Sequence, residues 1–127
     1  MPPQEWTTKP RPEDVTRLRH AVLDYSTQHG LGPPQLDDVA LAITEIVSNA
    51  VVHAFRDGSD GTITVGASVD GDELTIRVAD DGIGLTPRVD SPGAGLGLTI
   101  ACHVADRFQI ERLHPGTAIS LTFAAAA

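Results

Sequence analysis

The sequence predicts an α/β two-layer sandwich, with three helices covering a mostly antiparallel mixed sheet. Three observations carry that expectation. Two long segments place apolar residues at helical spacing. Two pairs of β-branched or alternating runs are joined by the turn signals Asp70-Gly71 and His114-Pro115-Gly116. A third, shorter helical segment falls between those pairs, and helices segregated from hairpins give two layers. The length of 127 residues suits one domain with a real core. No internal repeat or second domain is visible, so residues 12–123 are expected to form the domain, with an arm at 1–11 and a tail at 124–127.

Residues 1–11 read as a loose arm or a short edge strand, with Trp6 as the anchor that packs on the domain or on a partner subunit. Pro12-Glu13-Asp14 starts the first helix, because proline suits the first helical position and acids face the positive end of the dipole. Val15, Leu18, Val22 and Tyr25 recur along it, and Gly30 ends it. Gly32-Pro33-Pro34 reads as a turn, and a second helix is expected from about Gln35 to Phe55. Asp57-Gly58-Ser59-Asp60-Gly61 reads as a loop. Strands are expected at Thr62–Val69, Leu74–Val78, Phe108–Leu113 and Thr117–Phe123, with the third helix at about Leu98–Asp106.

Composition narrows the function. Hydrophobic residues make up 41% and charged residues 20%, as in an ordinary folded chain. No apolar run reaches the roughly 20 residues that cross a bilayer. The polar, proline-rich start does not resemble a signal peptide, so cytoplasm is the expected location. Cys102 is the single cysteine, which excludes an internal disulfide and a cysteine-based zinc site. The net charge of −8 argues against direct nucleic-acid binding. Lys9 is the only lysine, so any phosphate must be held by backbone N–H groups, a metal ion or an arginine.

The second helix is apolar almost all round, yet Glu45, Asn49 and His53 stand at i, i+4 and i+8 on one face. A buried carboxylate needs a partner or a water-filled cleft; the other reading is an exposed polar stripe. Asp80-Asp81-Gly82-Ile83-Gly84 follows a strand, and Gly93-Ala94-Gly95-Leu96-Gly97-Leu98 leads into a helix. Glycines allow close backbone approach, and a helix N-terminus offers free N–H groups to phosphate. The chain lacks G-x-x-x-x-G-K-[ST]. Neither cluster completes G-x-G-x-x-G, since the third position is Leu98 in one and Pro87 in the other.

These segments together resemble the Bergerat-fold ATPases, the group containing gyrase, heat-shock chaperone, mismatch-repair and histidine-kinase ATP-binding domains. The N box is matched by Glu45-Ile46-Val47-Ser48-Asn49-Ala50, the D-x-G-x-G box by Asp80 to Gly84, the second glycine box by Gly93 to Leu98, and the G-T-x-hydrophobic element by Gly116-Thr117-Ala118-Ile119. Within that group the chain is most similar to the bacterial anti-sigma-factor serine kinases. The run Asn49-Ala50-Val51-Val52-His53-Ala54-Phe55 and the short lid between Ile83 and Gly93 point there. So does Val52, which stands where histidine kinases usually carry a phosphate-contacting lysine.

The resemblance implies ATP and Mg²⁺ as ligands. Asp80 is expected to accept a hydrogen bond from the adenine amino group, and Thr117 to line the adenine pocket. Asn49 is expected to ligate Mg²⁺ and Glu45 to act as general base. Gly82 and Gly84 would leave room for adenosine; Gly95, Gly97 and the N–H groups around Leu98 would cradle the phosphates. His53 reads as a site residue or as a structural one satisfied by a carbonyl, and Arg88 as a phosphate contact or a solvated lid residue. The implied activity is a serine/threonine protein kinase that phosphorylates a small antagonist protein and sequesters a sigma factor as a homodimer. Two other activities stay open: a non-catalytic ATP-binding module, which has no need of Glu45, and a histidine-kinase domain, which Val52 disfavours.

Overall fold

The computed structural model describes residues 2–51, 61–82, 101–113 and 115–124. A five-stranded sheet has the order β1-β2-β3-β5-β4, with β1 at Gln4–Thr8, β2 at Ile63–Asp70, β3 at Glu73–Asp80, β4 at Arg107–Arg112 and β5 at Thr117–Ala124. Two helices, α1 at Pro12–Gln28 and α2 at Pro33–Asn49, pack on each other, and residues 101–104 are also helical. The two-layer expectation holds. The sheet pairings are all antiparallel, however, and none of the described strands makes it mixed.

Helix boundaries follow from backbone chemistry. Pro12 and Pro33 each stand in the first turn of their helix. There the absent N–H is no loss, because that group has no helical partner in any case. The Gly32-Pro33-Pro34 segment is therefore a cap and a helix start, and α2 begins two residues before the expected Gln35. After α1, Gly30 adopts φ +87. Its N–H donates to the Thr27 carbonyl at 3.1 Å, and that of Leu31 to the Ser26 carbonyl at 3.3 Å. This is the paired closure of a Schellman end, and Leu31 and Tyr25 beside it are both buried in the core cluster. Beyond Asn49 the helix continues into a wider π-type turn at Ala50 and Val51; the rest of the stretch expected to reach Phe55 lies outside the described residues.

The core lies between the helices and one face of the sheet. Leu18, Val22 and Tyr25 of α1, Val39, Ile43, Ile46 and Val47 of α2, and Ile63, Val65, Leu74, Ile76, Leu121 and Phe123 of the strands are all buried in it. Each such side chain contributes about 1.5–3 kcal/mol relative to an exposed one. The N-terminal segment forms edge strand β1, with Trp6 opposite Val65. Trp6 sets its ring edge-on to Tyr25 at 6.3 Å between centroids, which shows the anchor packing on its own domain.

Register decides what meets at each end of the sheet. Asp80, the last residue of β3, pairs with Ile63 at the start of β2 and with Thr117 at the start of β5. Thr117 in turn pairs with Arg112 at the end of β4. Asp80 and Thr117 therefore meet at one end of the sheet. At the opposite end Arg107 of β4 donates two hydrogen bonds to Glu73 of β3 at 2.8 and 3.0 Å. The Ala124 N–H also donates to the Asp106 carboxylate there, at 2.7 Å.

Candidate functional site

The site end is built from three strand termini and the turn before β5. Leu113 donates its N–H to the Gly116 carbonyl at 2.9 Å, closing that turn. Gly116 has φ +105, a conformation that an L side chain resists. A Cβ on it would also collide with the Asp80 carbonyl and approach the Asp81 Cα to 2.9 Å. Glycine before Thr117 is thus required twice over: it turns the chain and lets β5 start flush against the end of β3. Thr117 itself is buried.

Asp80 is half-buried and tied by its own loop. Its Oδ1 accepts the Gly82 N–H at 3.0 Å, an Asx-type turn onto the buried Gly82. Burial raises the Asp80 pKa above the ordinary carboxylate range, and the neighbouring Asp81 charge adds to that. N–H groups of Gly82 and Thr117 pull it back down. An ionised carboxylate offers about four acceptor sites, so Asp80 keeps capacity for a further donor. Asp81 is exposed, and its Oδ1 accepts the Thr62 N–H at 2.8 Å.

On α2, Glu45 and Asn49 are both half-buried one helical turn apart, with the buried Ile46 and Val47 between them. The stripe is therefore not a plain solvent face. Asp37 on the same row is exposed, and Leu41 is 41% exposed. The helix packs against β5, the strand that starts with Thr117. Oxygen donors of this kind suit a hard ion such as Mg²⁺, which takes one or two protein oxygens and completes its shell with water and phosphate. Among the described residues no group of three or more His, Cys, Asp and Glu side chains forms a cage that would hold a metal by itself.

The structure thus joins Asp80, Gly82 and Thr117 at one sheet end and places Glu45 and Asn49 together on α2. His53, Gly84, Arg88, Gly93, Gly95, Gly97 and Leu98 lie outside the described residues. Sequence reasoning gave no role to Asp81 and named Gly116 only as a motif member. A glycine directly before a strand, after a His-Pro pair, was the available signal for a positive φ.

Known proteins share the family and the fold of this chain. The profile of the Histidine kinase-like ATPase domain matches residues 8–123, and the chain belongs to that family. It is 33% identical over 70 residues to the Serine-protein kinase RsbW of Listeria innocua serovar 6a, which covers 55% of this chain and 45% of that protein. It is 28% identical over 76 residues to the Anti-sigma F factor of Clostridium beijerinckii, covering 60% of this chain and 52% of that one. The chain spans about half the length of the curated relatives it matches. Among solved structures, the RsbU and RsbW domains of Rv1364c from Mycobacterium tuberculosis superpose with a TM-score of 0.79 at 26% identity, covering 100% of this chain and 33% of that one.

Proposed function

We propose that this domain is an ATP-dependent protein serine/threonine kinase that also sequesters a sigma factor. Its phosphoryl acceptor would be a hydroxyl on a small antagonist protein. The observation that carries the reading is the half-buried Glu45, one turn before the half-buried Asn49 on a helix whose other face, with Val39, Ala42, Ile43, Ile46 and Val47, is buried in the core. A domain that only binds nucleotide gains nothing from a carboxylate there, and desolvating one is costly. The names of the relatives, Serine-protein kinase RsbW and Anti-sigma F factor, support both halves of the proposal.

In this reading Asp80 accepts the adenine amino hydrogen beside Thr117, and Gly82 keeps the strand end narrow enough for the base. Asn49 would hold Mg²⁺ through its amide oxygen, and the ion would neutralise phosphate charge that this chain has no lysine near the motifs to meet. Glu45 takes the proton of the acceptor hydroxyl as its oxygen bonds to the γ-phosphorus. The bond to the β–γ bridging oxygen breaks, and ADP leaves. The reading also places the protein in the cytoplasm as a homodimer. No helix among the described residues is long and apolar enough to span a membrane.

The test is transfer from γ-labelled ATP to proteins that co-purify from the native cell. Glu45→Gln should keep ATP binding and partner binding while transfer falls roughly 10²–10⁴-fold, the usual contribution of a positioned base. Transfer at the wild-type rate in the variant removes the base role from Glu45. No transfer by the wild type to any co-purified protein favours a binding module instead.

A further inference from the structure

The β2–β3 ladder begins at the turn pair Asp70–Glu73 and ends at Ile63–Asp80. Past that pair the regular ladder stops, and Asp81 adds one more rung of a different kind. Its N–H reaches the Thr62 carbonyl at 3.4 Å, a long contact. Its side-chain Oδ1 accepts the Thr62 N–H at 2.8 Å, which is the stronger bond. A carboxylate therefore does what a backbone carbonyl would do if β3 ran on. Asp81 stands between Asp80 and Gly82, and the Asp80 carboxylate is itself held by the Gly82 N–H at 3.0 Å. Any rotation of the backbone at Asp81 moves that N–H and the carboxylate it holds.

We propose that Asp81 is a positioning residue for the nucleotide base: by clamping Thr62 it fixes the backbone of residues 80–82, and with it the Asp80 carboxylate. The proposal deepens the ATP reading and rests on it. Asp81 is exposed, so replacing it removes no core contact. That separates positioning from folding. The chemistry also makes a sharp demand on the side chain. Asparagine keeps an acceptor oxygen at the same reach, whereas alanine has none.

The experiment measures binding of Mg-ATP and Mg-GTP by calorimetry to the full chain, with hydrogen exchange at the Thr62 amide and thermal unfolding alongside. Asp81→Ala should weaken ATP binding roughly three- to tenfold, the usual worth of one such hydrogen bond. It should also narrow the preference for ATP over GTP, and speed exchange at Thr62. Asp81→Asn should bring all three back to within about twofold of the wild type. Unchanged ATP affinity in Asp81→Ala overturns the proposal. So does an equal loss of ATP and GTP binding that follows a lowered Tm, or failure of Asp81→Asn to rescue. Asp80→Asn run in parallel tells two failures apart. Wild-type ATP affinity there overturns the base reading, and the proposal with it. Weakened affinity there, beside unchanged affinity in Asp81→Ala, overturns the proposal alone.

Discussion

In the proposed ATP site, Asp80 carries a conflict between stability and binding. Its carboxyl is pushed above the ordinary range chiefly by burial, so the folded chain holds that proton more tightly than the unfolded chain does. For an acid shifted this way, stability falls as pH rises from the unfolded pKa through the folded one. At neutral pH the ionised group therefore costs stability in the nucleotide-free protein. Asp80→Asn keeps an oxygen for the Gly82 N–H and removes the charge. Its Tm should exceed the wild type's at pH 7, and the gap should close as the solution is acidified through the carboxylate range. Its affinity for ATP should fall by about 1.5–3 kcal/mol, with little change for GTP. Thermal scans across pH and calorimetry read both effects. A lower Tm at pH 7 would contradict the burial argument. The pairing of Asp80 with Thr117 could be anticipated only through the family resemblance, because nothing local in Val78-Ala79-Asp80 says which later strand lies beside it.

At the scale of elements, the turn that feeds β5 and the end of α1 make a controlled comparison. Gly30 and Gly116 both have positive φ, +87 and +105. A Cβ at Gly30 meets nothing within 4 Å, whereas one at Gly116 strikes the Asp80 and Asp81 backbone. Gly30→Ala should cost about 1–2 kcal/mol of stability, the left-handed penalty alone, and leave ATP affinity unchanged. Gly116→Ala should cost more than that and also weaken ATP binding, since β5 must retreat from Asp80. Denaturant midpoints with calorimetry decide it; equal effects of the two substitutions would remove the steric role of Gly116. Most element identities were legible because Val15, Leu18 and Val22, or Leu74, Ile76 and Val78, repeat at the period of their own structure. Boundaries were less so. A proline pair is read as a turn when no helix is assumed, yet Pro33 and Pro34 fit a first helical turn equally well.

At the scale of the whole molecule, ligand and fold are linked. A ligand that binds only the native state stabilises it by about 2.7 kcal/mol at one hundred times its Kd. ATP should therefore raise the Tm, and Mg²⁺ should enlarge that rise in the wild type. In Asn49→Ala the rise with ATP should be the same with and without Mg²⁺, as measured by thermal unfolding. A magnesium-dependent rise that persists in the variant takes the metal away from Asn49. Topology was the least legible layer. Both hairpins announce themselves by short turns, but the contact of β3 with β5 joins strands far apart in sequence, and β1 pairs with β2 across both long helices. Such pairings are fixed by which buried faces fit together, and that leaves no local mark.

The Arg107–Glu73 ion pair marks the end of the sheet away from Asp80 and Thr117. The Asp70–Glu73 turn sits at the Arg107 end, and Gly71 there has φ +65 with open space around it. Every motif residue placed on the sheet lies at the other end of its strands. The molecule therefore offers an experimenter a handle as well as a mouth. A fluorophore or surface tether grafted at the hairpin tip would hold the domain by its back, with the end that carries Asp80 and Thr117 facing free solution.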